Sequence, residues 1–233
     1  MSEGAWSPTW FDKGMGSKSM LAWRGVEAQH IVSTMRLVDT AEEQDVLEAL
    51  LEQSKPPLPQ MKVRKHYLLC TPFRYRPAHP SRFRRSGTLG NWYGAEKLYA
   101  ACAEVAYWRH RFILDSSALM KTELLTEHTF FQAKVAGMAI DLMNPPWNAA
   151  RSAWTHGSNY GATHALAEAA SERDVQWISY ESVRAPGYRC AAVLDVESLD
   201  MVANGATQQT WHCKATRDSV MLVHGPDRHV WVF

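Results

Sequence analysis

Two spacings of apolar residues run along this chain, and the change between them sets out its elements. From residue 95 to 114, Leu98, Cys102, Val105, Phe112 and Ile113 recur at three- and four-residue intervals, with the aliphatic stem of Arg109 on the same stripe. That spacing predicts a helix. A second helix is predicted over 160–173 from Ala165, Leu166 and Ala169. An earlier one begins at Thr40, an N-cap whose capping box is completed by Glu43, and carries Val46, Leu47, Leu50 and Leu51 as its apolar face. Lys55-Pro56-Pro57-Leu58-Pro59 stops it and reads as a linker.

Elsewhere the apolar runs are short. Residues 21–35 read as a strand followed by a short extended or helical piece, 67–70 as a buried strand, and 91–93 as a short aromatic strand. Strands are predicted at 128–135 and 138–142, split by Gly137, and at 175–180, 190–194, 210–213, 220–223 and 230–233, with Asn204-Gly205 as a turn. Many short strands with few helices predict an α+β fold, one domain with a mostly antiparallel sheet flanked by helices. Residues 1–20, rich in Gly, Ser and Lys, form either a loose tail or an arm pinned by Trp6, Trp10 and Phe11. The domain then spans 21–233, with a helix-and-linker insertion at about 40–62.

Composition changes this picture little. At 233 residues the chain is long enough to bury a real core, and a net charge of +1 gives no global reason to expect nucleic acid. The four cysteines, Cys70, Cys102, Cys190 and Cys213, form no CxxC pair and read as reduced core thiols. No apolar run approaches the roughly 18 residues of a membrane span, and no signal peptide is evident, so the expectation is a cytoplasmic protein.

Charge distribution is more informative than total charge. No acidic residue occurs between Glu52 and Glu96, and Arg74, Arg76, Arg82, Arg84 and Arg85 fall within a dozen residues there. Just beyond them, Tyr93 ends an aromatic strand and the 95–114 helix carries one carboxylate, Glu104, off its apolar stripe among Lys97, Ala101, Trp108 and Arg111. Guanidinium groups, an aromatic ring and a lone acid suit an anionic ligand with a glycosidic bond. The plainer alternatives are a solvated basic face and a Glu104 paired with Lys97 or Arg111. A phosphate-cradling glycine loop is missing, HExxH is missing, and the histidines show no metal-ligand spacing. Gly157-Ser158-Asn159-Tyr160-Gly161 has its serine one position early for a serine-hydrolase elbow.

Taken together, these segments resemble the RES-domain family, bacterial toxins of RES–Xre toxin–antitoxin pairs, named for an arginine, a glutamate and a serine. The family's arginine-aromatic turn, strand-closing tyrosine and helix glutamate match Arg82-Phe83, Tyr93 and Glu104. Its later helix, apolar strand and Ser-Val-Arg match the stretch from His164 to Ser182-Val183-Arg184. Arg24 is a candidate for the family's first arginine, and Arg74 competes with Arg82 for one role. The chain departs from short members by an extra helix and linker before Arg82 and a longer interval between Glu104 and Ser182.

The resemblance implies an ADP-ribosyltransferase-like fold, and NAD as a consumed substrate with no separate cofactor. It implies Glu104, Arg82 and Tyr93 as catalytic, and Arg74, Arg24 and Ser182 as substrate-binding. It also implies an Xre-type antitoxin that covers the site, oligomers built through it, and contact with nucleic acid only through the antitoxin. Water, phosphate or a protein side chain remain alternative acceptors of the ADP-ribosyl group. The rival from another class is a non-enzymatic nucleic-acid- or phosphate-binding module. It would use the basic 62–85 segment, with Phe73, Tyr75, Phe83 and Trp92 as a stacking platform.

Overall fold

One strand, Leu124–Asp141, carries most of the pairing in this fold. A computed structural model describes residues 6–28, 32–35, 37–202 and 207–233. In chain order the described elements are α1 (Thr9–Gly14), β1 (Met15–Glu27), α2 (Val32–Met35), α3 (Ala41–Ser54), α4 (Tyr67–Cys70), β2 (Trp92–Ala95) and α5 (Leu98–Leu114). Then follow β3 (Leu124–Asp141), α6 (Arg151–Trp154), α7 (Gly161–Ser171), β4 (Trp177–Glu181) and β5 (Arg189–Val193). The chain ends with β6 (Leu199–Met201), β7 (Gln208–Ala215), β8 (Ser219–His224) and β9 (Asp227–Val232).

β3 is rich in Thr, Phe, Val and Ile, residues that fit a pleated, half-buried surface. Along one edge it pairs with β1 from Met15 opposite Ile140 to Glu27 opposite His128. Along the other it meets β7, β6 and β4 in turn. The sheet order is β1-β2-β5-β4-β3-β7-β8-β9, and all pairings are antiparallel except β3 with β4. Because β1 also pairs with β3, the strands β1, β2, β5, β4 and β3 close into a circuit. The α+β architecture with a mostly antiparallel sheet, expected from the sequence, is the one observed.

Period-two alternation divides the side chains between two cores. Phe130, Ile140, Ile178, Ala192 and Leu222 pack with Ala100, Cys102, Ala106 and Ile113 of α5 and Leu166 and Ala170 of α7. Their strand neighbours Phe131, Ala139, Trp177, Ala191 and Val193 belong to the other core, with Trp92, Leu69 and Phe73. All four cysteines are buried and free.

Several expectations change. Residues 67–70 are a helical turn, α4, followed by a 3₁₀ turn over Thr71–Arg74. Four apolar residues satisfy either conformation. Here the His66 side chain caps the Leu68 amide and Pro72 opens the 3₁₀ turn, which settles it as helical. β3 does not break at Gly137, whose φ of 144° keeps the strand continuous. A Cβ there would lie 2.2 Å from Gln176 Oε1, the atom that accepts the Met138 amide at 3.0 Å. The apolar face of α3 is exposed: Val46, Leu50 and Leu51 face solvent, although the Thr40 cap forms. Residues 15–20 belong to β1, and before them Trp6, Trp10 and Phe11 all pack on Trp147. Asn204-Gly205 lies outside the described residues.

Gly137→Ala is expected to cost about 1–3 kcal/mol, because the new methyl meets Gln176 in a backbone region that alanine resists. Thermal unfolding should show a Tm lower by roughly 2–4 °C per kcal/mol for a chain of this size.

Candidate active site

Helix α5 presents Ala101, Glu104, Val105, Trp108, Arg109 and Phe112 along one face, at three- and four-residue steps. That face forms one wall of a cavity of about 470 Å³. β1 supplies Trp23, Arg24, Gly25 and Glu27, β2 supplies Tyr93 to Ala95, and the turn at 81–84 supplies Ser81 and Arg82. Tyr160, Tyr180 and Arg184 complete the rim.

Glu104 has neither Lys97 nor Arg111 as its hydrogen-bond partner. The Ser182 hydroxyl donates to its Oε1 at 3.0 Å. Burial raises the Glu104 carboxyl above its ordinary value of 4.5, while the Ser182 bond and the guanidinium groups of Arg184 and Arg82 pull it back. Ser182 is itself buried and fully engaged. Its oxygen also accepts the amides of Arg184 at 3.2 Å and Ala185 at 3.0 Å. With its single proton on Glu104, it holds the carboxylate in place.

The turn that carries Arg82 is closed by the reciprocal backbone bonds of Ser81 and Arg84. Tyr93 anchors it from β2: its hydroxyl lies 2.8 Å from Ser81 Oγ and accepts the Phe83 amide at 3.2 Å. Arg82 donates from Nη1 to the carbonyls of Trp154 and His156, both at 2.9 Å, and its guanidinium lies 5.0 Å from the Tyr160 ring centroid. Nη2 has no hydrogen-bond partner among the described residues. Arg24 donates from Nη1 to the Tyr93 carbonyl at 2.9 Å and faces the Trp92 ring, while its Nε has no partner among the described residues. Desolvation lowers its pKa to about 10, so it stays cationic at neutral pH.

Arg74 is elsewhere. It pairs with Glu52 at 2.8 Å and with the Pro56 carbonyl, tying the linker after α3 to the 3₁₀ turn. Of the two arginines that compete for one role, Arg82 is in the cavity and Arg74 is not. Residues missed by sequence reasoning as site members include Tyr160, Tyr180 and Arg184, and also Glu27, Arg109 and His128. Arg184 packs 3.4 Å from the Tyr107 ring centroid and donates to the Gly157 carbonyl. It stands two residues after Ser182, and that adjacency was the available signal.

The cavity walls hold four arginines, Arg24, Arg82, Arg109 and Arg184, against two carboxylates, Glu27 and Glu104. Glu27 is paired with Arg109. Among the described residues, Arg24, Arg82 and Arg184 have no ion pair. The site is therefore cationic around a single recessed acid.

The RES domain model matches residues 58–216, well over half of the chain. The chain belongs to the RES-domain family. The RES match takes in Arg74, Arg82, Tyr93, Glu104 and Ser182; Arg24 lies before it, yet closes the cavity from β1. The fold is similar to that of a chain in the crystal structure of the M. tuberculosis MbcT–MbcA toxin–antitoxin complex. The TM-score is 0.53 at 12% identity, over 90% of this chain and 92% of that one. The search of curated proteins finds no match.

NMR titration of the Glu104 carboxyl is expected to give a pKa above the ordinary value. Ser182→Ala should raise it further, because removing the donor removes stabilisation of the charged form.

Proposed function

We propose that this RES-domain protein is the toxin of a toxin–antitoxin pair and consumes NAD by cleaving its nicotinamide–ribose bond. The observation that carries this reading is one carboxylate, Glu104, held by Ser182 inside a cavity that also holds Arg24, Arg82 and Arg184, none of them ion-paired among the described residues.

In the cleavage, the bonding pair of the C–N bond leaves with nicotinamide, whose pyridinium nitrogen becomes neutral. No strong general acid is needed for such a leaving group. The ribose acquires oxocarbenium character, as in glycoside hydrolysis. An ionised Glu104 stabilises that charge where it develops, directly or through a ribose hydroxyl. Arg82, with Arg24 and Arg184 near it, binds the pyrophosphate through charge-assisted hydrogen bonds. Tyr93 packs on the nicotinamide riboside, and its hydroxyl braces the Arg82 turn. Ser182 acts through Glu104. Water as acceptor makes the protein a glycohydrolase, phosphate a phosphorylase, and a protein side chain an ADP-ribosyltransferase. The neighbour's complex supports an antitoxin partner; its Xre type, its covering of the cavity and oligomers built through it belong to this proposal.

The basic 62–85 segment gives little support to a nucleic-acid-binding module. Three of its cations are paired, Lys65 to Asp200, Arg74 to Glu52 and Arg85 to Glu168, Arg84 turns inward to the carbonyls of Pro77, His79 and Arg85, and Arg82 faces the cavity. Of the four rings of that platform, Phe73, Phe83 and Trp92 are buried in the core and offer no face for stacking bases, which leaves Tyr75 exposed.

Nicotinamide release from NAD by the purified, antitoxin-free protein tests the reading, with and without phosphate. Glu104→Gln is expected to lower kcat by roughly 10²–10³-fold, with a Tm equal to or above that of the parent because a recessed charge has been removed. A rate that rises with phosphate would name the phosphorylase. Absence of release in every condition would exclude NAD cleavage by this protein alone. Arg82→Ala should raise KM for NAD by about 10- to 100-fold, whereas Arg74→Ala should leave it within about twofold. Melting curves serve as the control for folding.

A further inference from the structure

The cavity has a second pole that the chemistry above does not use. His128 of β3 stands opposite Glu27 of β1 in register and is only 3% exposed. Its ring lines the cavity together with the Glu27–Arg109 pair. Nε2 lies 3.2 Å from Thr126 Oγ1, while Nδ1 has no hydrogen-bond partner among the described residues. That nitrogen is closed off from solvent in this conformation, and its hydrogen-bonding capacity becomes available to a ligand when the ring turns toward the cavity.

Charge at this pole cancels. Glu27 and Arg109 neutralise one another, and the imidazole is uncharged: burial, then Arg109, drive its pKa down to about 4 against a smaller opposing pull from Glu27. Val105 and Phe112 add apolar walls. Such a pocket is unsuited to a phosphate. It suits a flat, neutral group with a hydrogen bond to give or accept.

Distance along α5 narrows the choice. Arg109 follows Glu104 by five residues, about 7.5 Å of helix at 1.5 Å per residue. With the anomeric carbon beside Glu104, that offset reaches the far side of the base attached to it. The opposite end of a dinucleotide, beyond the pyrophosphate, is much farther away.

We propose that His128 reads the carboxamide of the departing nicotinamide through Nδ1, so that the far pole selects a neutral leaving group. This assignment rests on the NAD-cleaving reading. A carboxylate in place of the carboxamide would have to compete with Glu27 for Arg109 and would meet an uncharged imidazole.

The test uses the full chain with His128→Leu and His128→Asn. It measures kcat and KM for NAD and for nicotinic acid adenine dinucleotide, and the Kd of ADP-ribose by calorimetry. The parent is expected to prefer NAD. His128→Leu should raise KM for NAD by about tenfold or more and erase the preference. Its Kd for ADP-ribose should not change, because that molecule lacks the leaving group. His128→Asn, which keeps a hydrogen-bonding amide, should recover part of the loss. A folded His128→Leu with unchanged KM and preference, or one that weakens ADP-ribose as much as NAD, would overturn the assignment alone. If His128→Leu does not fold, a parent with no preference, or a His128→Asn indistinguishable from the parent, does the same. A parent protein that releases no nicotinamide would remove the NAD reading and this assignment with it.

Discussion

A hydrogen bond 3.0 Å long joins Ser182 to Glu104 across 78 residues of sequence, and the cavity depends on it. Glu104 comes from the middle of α5, whereas Ser182 comes from the turn after β4. The bond therefore requires α5 to be packed on the sheet with both registers correct. Ser182 is held by its own backbone, since its amide donates to Tyr188 at 2.8 Å and its oxygen caps two amides of the following turn. A hydroxyl with no remaining freedom places the carboxylate more tightly than an arginine partner would, and leaves its charge unpaired.

That arrangement sets stability against reactivity. A recessed carboxylate and three guanidinium groups without ion pairs are each disfavoured by desolvation. The fold offsets this elsewhere, through two aromatic-rich cores on either face of one sheet. The arginines are restrained by groups that do not neutralise them: carbonyl oxygens for Arg24, Arg82 and Arg184, and ring faces for the same three. Carbonyl and ring contacts fix the guanidinium planes while leaving positive charge for an anion. A site made of salt bridges would lack that property, as Arg74 with Glu52 and Arg85 with Glu168 illustrate on the surface.

The pairing of β1 with β3 connects the two ends of the cavity. It brings Arg24 and Glu27, from a strand before the matched RES segment, into the same wall as Arg82, Glu104 and Arg184. The cationic end and the neutral end then lie along one helix, about one and a half turns apart.

By itself the sequence determined the α+β class, because period-two and period-3.6 spacings are local properties of the chain. It also determined the isolation of Glu104 on α5, the Thr40 cap, and the order of arginine, tyrosine, glutamate and serine that marks the family. Tertiary structure decided the rest. Residues 67–70 are helical because a four-residue apolar run is compatible with either conformation until a cap and a core choose. β3 runs through Gly137 because Gln176 and Asp195 support the strand from a distant loop. Arg74 competed with Arg82 on the sequence, since a charge run carries no record of which side chain points inward. Only the placement of Glu52 beside one and of Trp154, His156 and Tyr160 around the other separated them. His128 and Arg184 acquire their meaning the same way, from neighbours that no local pattern brings together.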